Sequence, residues 1–372
     1  MILGLFVGMF DYGGIERVSR YVAAVLTSFA LERGYACRIL CLNDPVGQYE
    51  LEVAGQIFTI EGFGRNKIRF IKTILSNIPQ TKLVFAGHPN FGPLALFQRV
   101  IRPKTPYIIY AYGVDVWEPL PLFRRWGLIN SQLVAAISNH TAQCVIEKQG
   151  VAPSKMALLH PPLSPDFFDA KPSLLPDAIH FQDNVKVLLT VARLSRYDRH
   201  KGVDTVLQVL PAIVESIPDV HYVIVGGGDD RRRLEQLTKE LGISSSVTFV
   251  GAVKGELTNY YRMCDIFVMP SRKEGYGIVF VEAMALGKPV VGGRHGGTPD
   301  IVIDGQTGYL VEYGDLEMLK RRLIDLLSDE TLREEMGKNG KERLENKFTF
   351  QKFRDHLNRI LKKFELPCEE IN

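Results

Sequence analysis

Two glutamates, Glu274 and Glu282, are separated by seven residues, and the stretch between them opens with Gly275-Tyr276-Gly277. Glycines on both sides of Tyr276 allow a tight turn. The apolar run 278–286 then reads as a helix stopped by Gly287 and Pro289. Glu274 falls in the loop before that helix and Glu282 just over one turn inside it. The amides of Gly277, Ile278 and Val279 stand at the helix N-terminus, where backbone donors and the helix dipole favour an anion, typically a phosphate. A carboxylate one turn further in can accept from a pair of ribose hydroxyls. The competing reading makes one glutamate a cap and leaves the other on the wet face. The Gly296-Gly297 loop that follows weighs against it.

Arg193, after a strand, and Lys201-Gly202, opening a helix, form a second group. Two cations at the carboxyl edge of a parallel sheet are placed for a diphosphate, the arginine as a planar two-point donor and the lysine as a point charge. A solvated basic loop is the plainer alternative, since Arg196, Arg199 and His200 are neighbours. Gly13-Gly14 after the first strand offers an amide at Gly14 to a phosphate, or only a tight strand–helix turn. Gly226-Gly227-Gly228 is equally ambiguous.

The elements that must position these groups come as short apolar runs alternating with helical patterns. Strands are expected at 2–9, 36–42, 83–86, 106–111 and 133–137, then at 186–191, 221–225, 247–250, 266–269, 289–291 and 309–311. Helices are expected at 14–33, 203–217, 230–241, 278–286 and 316–327. Strands apolar on both faces and spaced by helices mean parallel sheets covered on both sides, so the class is α/β, twice over. A chain of 372 residues exceeds what one core supports, and five prolines between 160 and 184 mark the joint. The expected division is a domain at 1–165, a linker at 166–184, a domain at 185–347 and a terminal helical segment at 348–372 that packs on either.

A net charge of +3 excludes a nucleic-acid binder by bulk electrostatics. Five scattered cysteines without a C-x-x-C pair argue against a disulfide framework or zinc cluster and fit a reducing, cytoplasmic setting. The apolar start lacks a basic n-region and reads as a buried strand, and no run is long enough to span a membrane.

The run E-G-Y-G-I-V-x-x-E-A-M-A-x-G-K-P-V-V, with G-G-T-P-D and D-G-x-T-G-Y-L-V after it, resembles the retaining glycosyltransferases of family 4. V-A-R-L…K-G, the early Gly-Gly and Gly113-x-Asp115 add to the likeness, which covers nearly the whole chain. The resemblance implies the GT-B fold, two Rossmann-like parallel-sheet domains facing across a cleft. It implies transfer of a hexose from a nucleotide-diphosphate sugar, without a metal or other cofactor, to a saccharide or lipid-linked acceptor. Carried over by residue, Gly14 gives an amide to the diphosphate, and Arg193 and Lys201 neutralise it. Glu274 holds hydroxyls of the sugar, and Gly275, Tyr276, Gly277, Ile278 and Val279 form the phosphate loop. Glu282 binds the ribose, Val250 and Gly251 adjoin the base, and Asp115 lies at the interdomain cleft. Where the family has His-Gly-x-Asp, this chain has Tyr112, which contacts the donor sugar or packs beside Tyr110. No D-x-D is present to hold a divalent metal. Family frequency favours UDP-glucose.

The segments 65–72 and 120–126 interleave cations with apolar and aromatic residues. They read as contacts to an anionic membrane at its inner face, or as snorkelling surface helices. Three other functions compete: an epimerase or hydrolase on the same fold, a nicotinamide dehydrogenase, and a binding module. The dehydrogenase is disfavoured because no G-x-G-x-x-G follows the first strand.

Overall fold

The computed structural model describes residues 1–10, 13–168, 181, 184–253 and 257–364. The chain divides into two compact units, Met1–Pro165 with the C-terminal segment from Phe350, and Asp166–Thr349. Most of the expected linker lies outside the described residues. Asp166–Phe168 count with the second unit, because Phe167 is buried and its ring stands 6.4 Å from that of Tyr261.

The first unit begins with β1 (Ile2–Phe6), α1 (Gly14–Leu31), β2 (Cys37–Cys41), β3 (Gly47–Val53), β4 (Gln56–Gly62) and α2 (Lys67–Asn77). It continues with β5 (Leu83–Ala86), α3 (Gly92–Ile101), β6 (Tyr107–Ala111), α4 (Leu122–Ile129), β7 (Leu133–Ala136), α5 (Asn139–Gln149) and β8 (Met156–Leu158). Its eight strands run in the order β3-β4-β2-β1-β5-β6-β7-β8. All neighbours are parallel except β3 and β4. That antiparallel pair is absent from the sequence reading. Its residues alternate between exposed and inward positions rather than forming an apolar run, because one face of this edge meets water. Conversely β1 stops at Phe6, short of the expected residue 9, because the chain there turns into a loop.

The second unit holds β9 (Lys186–Val191), α6 (Val203–Ser216), β10 (Val220–Val225), α7 (Arg231–Glu240), β11 (Val247–Gly251), α8 (Thr258–Met263) and β12 (Ile266–Met269). After them come α9 (Ile278–Ala285), β13 (Val290–Gly293), α10 (Thr298–Ile301), β14 (Gly308–Val311), α11 (Leu316–Ser328) and α12 (Glu330–Lys347). Its six-stranded sheet, order β11-β10-β9-β12-β13-β14, is wholly parallel. Leu188, Tyr222 and Ile266 of the strands pack with Val206, Leu210 and Leu323 of the helices into its core. Helix α12 escaped the sequence reading because its surface is mostly polar. It is anchored by the buried Arg333, which donates to the Leu326 and Leu327 carbonyls at 2.7 and 2.9 Å and so closes the end of α11.

The last helix, α13 (Phe350–Lys362), belongs to the first unit and packs on α1. The Tyr21 and Phe350 rings meet edge-on at 5.8 Å, and Arg354 reaches Glu32 at 3.4 Å. In each sheet the chain reverses its direction of strand addition once, between β1 and β5 and between β9 and β12. The carboxyl ends of strands at such a point are where open α/β sheets bind ligands.

Candidate active site

Both loops at the β9/β12 reversal carry residues singled out from the sequence. After β9 the chain forms a short 3₁₀ turn, Arg199–Lys201, and Gly202 opens α6. Lys201 Nζ meets Glu274 Oε2 at 2.5 Å, with side chains only 19% and 12% exposed. A half-buried pair of this kind is held by its partner's charge, and removing either member strands the other. The two loops are also stitched by backbone, since Arg272 N donates to the His200 carbonyl at 2.8 Å.

Beyond Glu274 the loop 275–277 leads into α9. Gly277 adopts φ 95°, a left-handed conformation that favours glycine, and no side chain caps the helix. The amides of Ile278 and Val279 therefore head an uncapped N-terminus beside the Lys201–Glu274 pair. Gly297 lies against this turn, donating to the Glu274 carbonyl at 2.7 Å. Glu282 is 5% exposed and accepts from the Tyr261 hydroxyl of α8 at 2.7 Å, so neither glutamate is a wet-face residue. The Tyr276 ring is buried against Phe348, which leaves its backbone to the loop. Val250 and Gly251 end β11, where the Gly251 carbonyl accepts from Gly226 at 2.9 Å.

Arg193 stands differently from its expected pairing with Lys201. Its side chain is 81% exposed and its partner is Asp198, at 3.3 Å. It lines a small crevice with Arg199, Asp230 and Arg233. Burial works against the Asp230 charge, but hydrogen bonds from Arg233 and Arg199 prevail and hold its carboxyl below the ordinary value. This network fixes the loop that carries Arg193.

In the first unit, Gly13 precedes α1 and Gly14 is its first residue, both exposed and with no side-chain cap. The loop before them is held by a residue the sequence reading missed. Asp44 Oδ2 accepts from Met9 N at 2.8 Å and Oδ1 from Phe10 N at 3.3 Å, while Arg20 donates to the Met9 carbonyl. Asp115 and Tyr112 follow β6. The Tyr112 ring is 7% exposed, lies 4.6 Å from Tyr110 and has its hydroxyl 3.3 Å from Ser19 Oγ. Burial pushes the phenol well above its ordinary value, with the Ser19 bond a smaller opposing effect. Of the two roles open to Tyr112, the structure supports packing: its hydroxyl is enclosed in the core and not presented to a sugar. Asp115 is also largely buried, which pushes its carboxyl up to about 6 against the amide bond from Tyr112. His88, after β5, places Nε2 3.8 Å from Asp115 Oδ2. No motif pointed to Tyr261 or Asp44. A Gly-His-Pro triplet at the end of an apolar strand was a legible signal for His88.

The family described as glycosyl transferases group 1 matches residues 175–343. A GDP-mannose-dependent alpha-(1-6)-phosphatidylinositol monomannoside mannosyltransferase of Mycolicibacterium smegmatis is 38% identical over 268 residues, 67% of this chain and 69% of that protein. The N-acetyl-alpha-D-glucosaminyl L-malate synthase of Bacillus anthracis is 34% identical over 170 residues, 46% of this chain and 43% of that one. Among solved structures, Anabaena Alr3699/HepE in complex with UDP superposes with a TM-score of 0.77 at 17% identity, covering 97% of this chain and 99% of that one. Sucrose-phosphate synthase from Thermosynechococcus elongatus gives 0.73 at 20% identity, covering 98% of each. At such identities the structures speak for the fold alone.

Proposed function

Because the chain belongs to the group 1 glycosyl transferases, enzymes of GT-B fold, we propose that it moves a hexose from a nucleoside-diphosphate sugar to a lipid-linked saccharide acceptor, retaining anomeric configuration and using no divalent metal. The observation that carries this reading is the Lys201–Glu274 ion pair beside the uncapped N-terminus of α9, with Glu282 one turn inside. In this reading Lys201, Arg193 and the amides of Gly277, Ile278 and Val279 take up charge on the departing diphosphate, each donor lowering the barrier by a few kcal/mol, roughly 2.7–4. Glu274 holds hydroxyls of the sugar and Glu282 those of the ribose. The acceptor oxygen attacks on the face the phosphate leaves and gives its proton to that phosphate.

For the donor, the M. smegmatis relative's name makes GDP-mannose the first candidate, ahead of the UDP-glucose favoured from the sequence. Calorimetric titration with GDP, UDP and ADP, each with and without EDTA, tests both points. Submicromolar to micromolar binding of GDP, at least about tenfold tighter than UDP and indifferent to EDTA, is expected. Tighter binding of UDP reverses the donor assignment, and binding that EDTA abolishes removes the metal-free reading.

The lipid-linked acceptor rests on a surface of the first unit. Leu122, Phe123 and Trp126 of α4 are 64%, 73% and 53% exposed, beside Arg124 and Arg125. Phe97, Val100 and Ile101 of the adjacent α3 are also exposed, and α2 adds Lys67, Arg69 and Lys72. No described helix is long and apolar enough to cross a membrane. Apolar side chains ringed by cations suit peripheral contact with an anionic leaflet instead. Free thiols at Cys37, Cys41, Cys144 and Cys264 fit the reducing side of that membrane.

A further inference from the structure

His88 and Asp115 come from different strand ends of the first unit, and both stand at the carboxyl edge where β1, β5 and β6 lie side by side. The His88 ring is fixed on both sides. Its Nδ1 accepts from the Asn90 amide at 3.1 Å, so the neutral ring carries its proton on Nε2. That nitrogen faces Asp115 Oδ2, which also accepts from Tyr112 N at 3.3 Å. The ring further stacks on Tyr112, 6.3 Å between centroids and 26° from parallel. Asp115 Oδ1 is buried and has no hydrogen-bond partner among the described residues. A buried carboxylate oxygen costs folding energy unless a donor meets it.

We propose that His88 is the positioning residue for Asp115: its Nε2 proton holds Oδ2 and thereby aims Oδ1 at a sugar hydroxyl of the transfer reaction. The inference rests on the transferase reading for the hydroxyl, and on local geometry alone for the positioning. The charged groups around the pair agree with it. Burial, and then Arg124, lower His88 to about 4, so the ring is neutral at neutral pH. Asp115, near 6, is then largely ionised and accepts. Glu16 of α1 faces Tyr112 and not the imidazole.

The test separates the two ring nitrogens. Glutamine reproduces an N–H near the Nε2 position, and asparagine reproduces an acceptor near Nδ1 that still caps the Asn90 amide. His88→Gln is expected to retain the acid limb of the kcat–pH profile near pH 6, measured on GDP-mannose or UDP-glucose, whichever the chain binds. His88→Asn should fold, bind the diphosphate within about twofold of the parent, and lose roughly tenfold in kcat with the limb displaced upward. A His88→Asn enzyme with parental kcat and an unmoved limb overturns the proposal. Two-bond ¹H–¹⁵N spectra of the full chain provide a second readout that needs no turnover. The Nε2–H tautomer, neutral down to pH 5, is expected; the Nδ1–H tautomer or an imidazolium at pH 6.5 overturns it. Failure to bind any diphosphate would sink the transferase reading, and the tautomer would still decide the role of His88.

Discussion

Lys201 and Glu274 are far apart in sequence and joined at 2.5 Å, so neither works as an isolated charge. Removing Lys201 leaves a largely buried carboxylate and one cation fewer for the leaving diphosphate. Lys201→Ala is expected to lower kcat/KM by about 10²–10³. Glu274→Ala should cost a similar factor, and the double variant well under the product of the two, because each single change already breaks the shared unit. Full additivity in a steady-state cycle would show two independent roles. At the other unit, His88 and Asp115 act on stability with opposite signs. Asp115 is raised from 3.8 to about 6, so it contributes stability below its unfolded value that is lost as pH rises through 6. His88 is lowered from 6.5 to about 4, so it contributes stability above 6.5 that is lost as pH falls through 4. Between pH 4 and 6.5 the two largely cancel. Urea unfolding should show His88→Gln gaining stability relative to the parent as pH falls from 6 to 4. Asp115→Asn should lose it over 6.5 to 4. Parallel curves for all three proteins would mean that burial does not shift these groups.

At the scale of elements, α9 is the piece whose placement decides whether diphosphate donors exist. It is pinned from two sides by glycines that admit close approach. A Cβ on Gly297 would lie 2.3 Å from the Gly275 carbonyl, and one on Gly337 of α12 would lie 1.9 Å from the Gly287 carbonyl. Gly297→Ala must therefore displace the loop that carries Glu274. It should weaken diphosphate binding by at least about tenfold while costing roughly 1–3 kcal/mol of stability, read by calorimetry and denaturant unfolding. Unchanged affinity would mean that the loop is not part of the donor site. Helix α12 shows how an element can be invisible in a pattern and still matter: it is mostly polar, yet its glycine supports the helix that holds Glu282.

For the whole molecule, the two units divide the work, with the ion pair and α9 in one and the apolar, cationic surface of α3 and α4 in the other. If that surface rests on lipid, Arg124→Ser with Arg125→Ser removes about 1 kcal/mol of attraction per cation. Partition onto phosphatidylglycerol vesicles at low salt should then fall by roughly thirtyfold. The parent should also detach as salt rises past physiological strength. Equal sedimentation of parent and variant, or none of either, would remove membrane contact from the account.

The parallel strands and the helices beside them were legible because burial on both faces demands continuous apolar runs, and the reading found them within a few residues. The hairpin β3–β4 was not, since an edge strand with one wet face alternates and resembles surface. The spacing of Glu274 and Glu282 by itself determined a turn followed by one helical turn, because both are short-range consequences of glycine and helix geometry. What only the tertiary structure decided is which groups meet. Lys201 pairs with Glu274 while Arg193 pairs with Asp198, Tyr261 holds Glu282, and His88 rather than Tyr112 faces Asp115. Each is a contact between segments that sequence pattern treats separately, and only the order of strands in a sheet brings their ends to one edge.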